Sequence, residues 1–127
     1  ALGGKVEKAA IGFRIGMEQY ETTLGGNGPR NVTMPAFHQD QIVVQPPNSD
    51  VVASTAACTF AALRYRDAPI LSVQFHPEFS MDYLADLIDC MGQQAAQPGL
   101  SAGAAYDGAG MRWIAAALAG EMMTGLI

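Results

Sequence analysis

The chain has 127 residues, enough for one hydrophobic core and too few for two. Half of the residues are apolar and 15% are charged, a globular balance rather than a disordered or fibrous one. Seven basic residues stand against twelve acidic ones, a net charge of −5 with no cluster of Lys and Arg. That excludes a duplex-binding face and a polybasic membrane patch, so neither nucleic acid nor membrane is expected as a partner. The longest apolar run, Trp113 to Gly120, is far short of the roughly 20 residues that cross a bilayer and reads as a buried helix.

Gly3 and Gly4 have the look of a helix C-terminus, with only two residues before them. Strand periodicity follows at Lys5–Lys8, Gly12–Gly16 and Glu18–Thr22. Leu24 to Pro29 is a glycine-rich loop, and no strand is assigned between it and Gln41. Gln41–Val44, Val51–Thr55 and Phe60–Arg66 are expected strands, the first stopped by Pro46-Pro47. Ile70–Phe75 is a nearly continuous apolar run, as in a strand buried on both faces.

The period then changes. Ser80 is placed to cap a helix whose first turn holds Asp82 and whose apolar stripe runs through Met81, Leu84, Leu87, Ile88 and Met91 to about Gln94. A Gly- and Ala-rich loop spans Gln97 to Gly108, and Asp107 opens a last helix bearing Met111, Ile114, Leu118 and Met122. Strands followed by helices imply an α/β or α+β domain. Tyr20, Trp113 and the methionines are expected in its core. Cys58 and Cys90, with no signal peptide before them, are expected as free buried thiols, which implies a cytoplasmic protein.

Two histidines each precede a carboxylate by two residues: His38-Gln39-Asp40 and His76-Pro77-Glu78. In extended backbone such residues share a face about 7 Å apart, near enough for the acid to orient the imidazole as a general base. The second pair sits at the C-terminal end of the apolar strand, where open α/β sheets place their sites. Together the four side chains also offer two imidazoles and two carboxylates to a metal, a competing reading.

Val73-Gln74-Phe75-His76-Pro77-Glu78-Phe79, between a strand and a capped helix, resembles the C-terminal signature of class I glutamine amidotransferases. Phe37-His38-Gln39-Asp40-Gln41-Ile42-Val43 resembles that family's H-x-D-x-V segment. Val52 to Thr55 and Phe60 to Tyr65 are similar to the two strands between them, and Ala1 to Val6 to the segment after the helix that follows the nucleophile. The combination is most similar to stand-alone members resembling the glutaminase part of GMP synthase.

The resemblance implies an α/β, flavodoxin-like sheet flanked by helices, of which residues 1–127 are the C-terminal portion with no second domain. It implies a Cys-His-Glu triad in which His76 and Glu78 are catalytic, with Phe37, His38 and Gln39 beside the glutamine pocket. It implies glutamine as substrate, no cofactor, and a partner synthetase domain or subunit that receives the ammonia. Self-association into a homo-oligomer is left open. His38 is as readily a hydrogen-bonded support of its loop as a substrate contact. The family's G-x-C-x-G nucleophile elbow does not occur in this chain, and neither Cys58 nor Cys90 lies in such a turn. The nucleophile is therefore expected upstream of Ala1. A non-catalytic interaction module is the alternative.

Overall fold

The structure, a computed structural model, describes residues 2–91. The expected loop from Gln97 and the helix after Asp107, with Trp113, lie outside the described residues. Seven strands precede one helix: β1 Lys5–Lys8, β2 Arg14–Thr22, β3 Arg30–His38, β4 Asp40–Val44, β5 Ser49–Thr55, β6 Cys58–Tyr65, β7 Leu71–Val73 and α1 Met81–Met91. β1 and β4 form a two-stranded ribbon, and the other five form a sheet in the order β3-β2-β5-β6-β7. Every pairing between these strands is antiparallel.

β2 and β3 pair in nine consecutive steps, from Arg14 opposite His38 to Thr22 opposite Arg30. The expected break at Met17 is absent, because Met17 is itself an apolar strand residue that buries fully and nothing there stops the ladder. β3 is a strand that the sequence pattern does not announce, in part because Pro35 lies inside it. Pro35 is tolerated because its carbonyl faces away from β2 and accepts from the His76 N–H at 2.9 Å. The N–H it lacks would point to that same side, so no bond to β2 is lost.

The run Ile70–Phe75 is a correction. Only Leu71–Val73 forms a strand, at the edge of the sheet and half-buried throughout. Beyond it the chain changes neighbours. The Gln74 N–H still bonds the Ala61 carbonyl of β6 at 2.8 Å, whereas Phe75 bridges to Ala36 of β3. The outer strands β3 and β7 thus meet through Phe75, and the sheet curls around its own core. That core holds Tyr20, Leu24, Val32, Met34, Val52, Cys58 and Phe75, with the Tyr20 and Phe75 rings 5.0 Å apart.

The opposite face of β2 presents Ile15 and Met17 to α1, where Leu84 is fully buried and Phe13, Phe37, Phe79, Met81, Leu87 and Ile88 pack around them. Ser80 caps α1 as expected: its Oγ accepts from the Tyr83 N–H at 3.1 Å. Met91, at the end of the expected stripe, is exposed. Both cysteines are free, and Cys58 is buried, but Cys90 is exposed because it falls on the outer side of α1.

Candidate active site

The backbone places His76 before any side chain does. Phe75, fully buried, anchors to Ala36, and the His76 N–H donates to the Pro35 carbonyl. The chain then turns rather than running on extended, as the Phe79 N–H donates to the His76 carbonyl at 3.2 Å. Pro77 occupies the second position of this turn, where its fixed φ is already suitable. The tight turn, not strand alternation, carries Glu78 back to the imidazole.

Glu78 Oε1 lies 2.7 Å from His76 Nδ1. A carboxylate only accepts, so Nδ1 carries the proton in this bond. Nε2 faces the Phe37 carbonyl at 3.3 Å. Both ring nitrogens therefore have acceptors beside them, and a doubly protonated ring is fully paired here. The His76 side chain is 31% exposed and Glu78 is 61% exposed, so the pair is reached by solvent. Such an imidazole can take up a proton and return it, the work of a general base and acid.

Phe79 closes the signature segment, which by itself assigns it no role. Its ring stacks on the imidazole with centroids 4.3 Å apart and planes 10° from parallel. Phe37 adds its ring at 6.5 Å from the imidazole and sits edge-on to Phe13 at 5.1 Å.

His38 behaves differently. It ends β3 opposite Arg14, with both ring nitrogens buried and making no hydrogen bond. Of the two readings of His38, the hydrogen-bonded support finds no side-chain partner in the structure; Asp40 is exposed at the start of β4. Burial pushes the His38 pKa down, and the charges of Arg14 and His76 act in the same direction against the pull of Glu18 and of the Asp40 backbone. Gln39 takes part through its backbone, whose carbonyl accepts from the Ala9 N–H at 2.7 Å. Of the five candidates, the structure joins His76, Glu78 and Phe37, and leaves His38 and Gln39 on the adjoining backbone.

Behind His38 lies a buried polar row that sequence reasoning missed. Arg14, Glu18 and Tyr20 share one face of β2, with Gly16 between the first two. Arg14 donates to one Glu18 oxygen and the Tyr20 hydroxyl to the other, at 3.1 Å. Burial, then the charge of Glu18, drives the Tyr20 pKa upward, so the phenol keeps its proton. The available signal is the recurrence of Arg14, Glu18 and Tyr20 at even spacing in a strand whose alternate positions include the apolar Ile15 and Met17. Cys58 is pushed up to about 11, chiefly by burial and then by Glu18, which makes it an inert thiol. Among the described residues, no group of three or more His, Cys, Asp and Glu side chains converges to hold a metal. No helix among them is long and apolar enough to cross a membrane.

The chain is similar in sequence and in fold to known proteins. The family model for glutamine amidotransferase class-I matches residues 1–85. A glutamine-hydrolyzing GMP synthase subunit of Methanococcus aeolicus is 34% identical over 91 residues, covering 62% of this chain and 48% of that protein. The subunit of the same name from Pyrococcus abyssi is 38% identical over 76 residues, covering 60% of this chain and 39% of its own length. The chain thus spans about half the length or less of these relatives. A glutamine amido transferase from Methylobacillus flagellatus superposes with a TM-score of 0.76 at 18% identity, covering 99% of this chain and 57% of that one. One from Thermotoga maritima gives 0.57 at 20% identity, covering 70% and 39%. The fold is that of class I glutamine amidotransferases, and with most of its length matched by the family model the chain belongs to the glutamine amidotransferase class-I family.

Proposed function

We propose that residues 1–127 are the C-terminal portion of a glutamine amidotransferase domain that hydrolyses the side-chain amide of glutamine. The observation that carries this reading is the His76–Glu78 pair at 2.7 Å, set on a turn within the segment matched by the family model. In this mechanism a cysteine thiolate encoded upstream of Ala1 attacks the amide carbonyl carbon. As the C–N bond breaks, His76 gives its proton to the departing ammonia and a thioester remains. His76 then takes a proton from water, whose oxygen displaces the thiolate and releases glutamate. Glu78 orients the ring and offsets its charge while it is protonated. Phe37, His38 and Gln39 line the glutamine pocket, largely through backbone groups. The relatives are glutamine-hydrolyzing GMP synthase subunits by name, which supports delivery of the ammonia to a synthetase domain or subunit. The two unpaired thiols support a cytoplasmic location.

Two observations favour a second reading, a non-catalytic interaction module: these 127 residues hold no G-x-C-x-G, and burial pushes the Cys58 thiol up, away from a nucleophilic thiolate. The coding sequence upstream of Ala1 separates the two. A G-x-C-x-G elbow there supports the enzyme, and its absence leaves the module. On the enzyme reading, residues 1–127 alone release no ammonia from glutamine above a His76→Ala control. Release above that control would show that the missing cysteine is not the nucleophile.

A further inference from the structure

The in-plane contacts of His76 do not fix the plane of its ring. Glu78 directs Nδ1 at 2.7 Å, from a side chain that is itself largely exposed. The Phe37 carbonyl, at 3.3 Å, is a long partner for Nε2. The contact that does define the plane is the Phe79 ring, 4.3 Å away and within 10° of parallel. Phe79 is itself held from three directions. Its N–H closes the turn on the His76 carbonyl, Tyr83 of α1 meets it edge-on at 4.8 Å, and Phe37 lies at 6.3 Å. It also packs on the cluster of Ile15, Met17 and Leu84, so the plane of the imidazole is referred to the buried contact between α1 and β2.

We propose that Phe79 is a positioning residue, whose stacked ring holds the His76 imidazole in the plane from which Nε2 reaches the reacting atoms. The inference rests on the reading of His76 as the proton carrier. A flat aromatic face restrains tilt in a way that an aliphatic side chain of similar volume does not, and it shields one face of the ring from water. Misplacing a reacting group by about 1 Å costs on the order of 10²-fold in rate.

The test compares Phe79→Leu with Phe79→Tyr, which retains the ring. Proton NMR of the protein carrying its upstream segment reads the stack directly, with the His76 signals assigned as those missing from His76→Ala. In Phe79→Leu the His76 ring protons should lose their upfield ring-current shift while those of His38 stay in place; in Phe79→Tyr both should stay. In the protein carrying its upstream cysteine, Phe79→Leu should lower kcat by about 10-fold to 10²-fold with little change in KM, and Phe79→Tyr should restore it. Unmoved His76 signals in Phe79→Leu, or wild-type kcat once the signals have moved, would overturn the inference. If Phe79→Leu fails to fold, Phe79→Tyr decides: loss of the ring-current shift or of kcat there counts against positioning by the ring. A His76→Ala protein of normal turnover would instead sink the proton-carrier reading, which keeps the two failures distinct.

Discussion

His38-Gln39-Asp40 and His76-Pro77-Glu78 have the same spacing and the same chemistry on paper, yet only the second becomes a bonded pair. The difference lies in the backbone between the partners. Pro77 takes the second place of a turn that brings the carboxylate back to Nδ1, whereas Gln39 joins β3 to β4 with its carbonyl taken by Ala9, so Asp40 leaves along β4 into solvent. The environments diverge as a result. His76 is partly exposed with an acceptor at each nitrogen, and His38 is half-buried opposite Arg14, its ring nitrogens shielded and without a partner. Spacing proposes a pair; the turn residue decides it.

The largest effect expected from this contrast is on turnover. In the protein carrying the upstream cysteine, His76→Ala should lower kcat for glutamine hydrolysis by about 10² to 10⁴, the usual contribution of a general acid–base group. His38→Ala should leave kcat near wild type and chiefly raise KM, if it lines the glutamine pocket as proposed. Steady-state ammonia release on both variants measures this. A dead His38→Ala beside a healthy His76→Ala would exchange their roles.

The acids separate by a smaller margin. Glu78 orients and stabilises the imidazolium without moving protons, so Glu78→Gln should keep activity on the order of 10-fold or more above His76→Ala. Asp40→Asn should be neutral, since the Asp40 carboxylate makes no bond to the His38 ring. Equal losses from Glu78→Gln and Asp40→Asn would mean that the two pairs are more alike in the assembled protein than in this chain.

Much of this is legible from residue order alone. The helix after Ser80, the strands around Val52 and Leu63, and the pairing of His76 with Glu78 follow from caps, alternation and the signature. β3 is not legible, because a proline normally argues against a strand and its tolerance depends on a non-local partner, the His76 N–H. The retreat of Ile70–Phe75 to three strand residues has the same origin, since Phe75 exchanges β6 for β3 at long range. Cys90 escapes because position on an amphipathic helix does not say which side is covered. The row Arg14–Glu18–Tyr20 has a sequence pattern, but burying an ion pair is rare enough that the pattern reads as a solvated face.

The smallest effect expected is thermodynamic and concerns His38 alone. Burial holds its pKa below the ordinary value near 6.5, so the neutral ring is the form the fold accepts. As pH falls through about 6.5, the unfolded chain takes up a proton that the folded chain refuses, and stability declines. The decline continues until the pH passes below the folded-state value, where both states are protonated. One proton limits its slope to about 1.4 kcal/mol per pH unit, and solvent access to the half-buried ring reduces it further. His38→Asn removes the group that titrates and should flatten the stability curve below about pH 6.5, the unfolded-chain value from which the lowered pKa departs. Urea melts of both chains across this range measure the difference. Parallel curves would mean that His38 is solvated as freely as an exposed histidine, and the contrast between the two histidines would then rest on geometry alone.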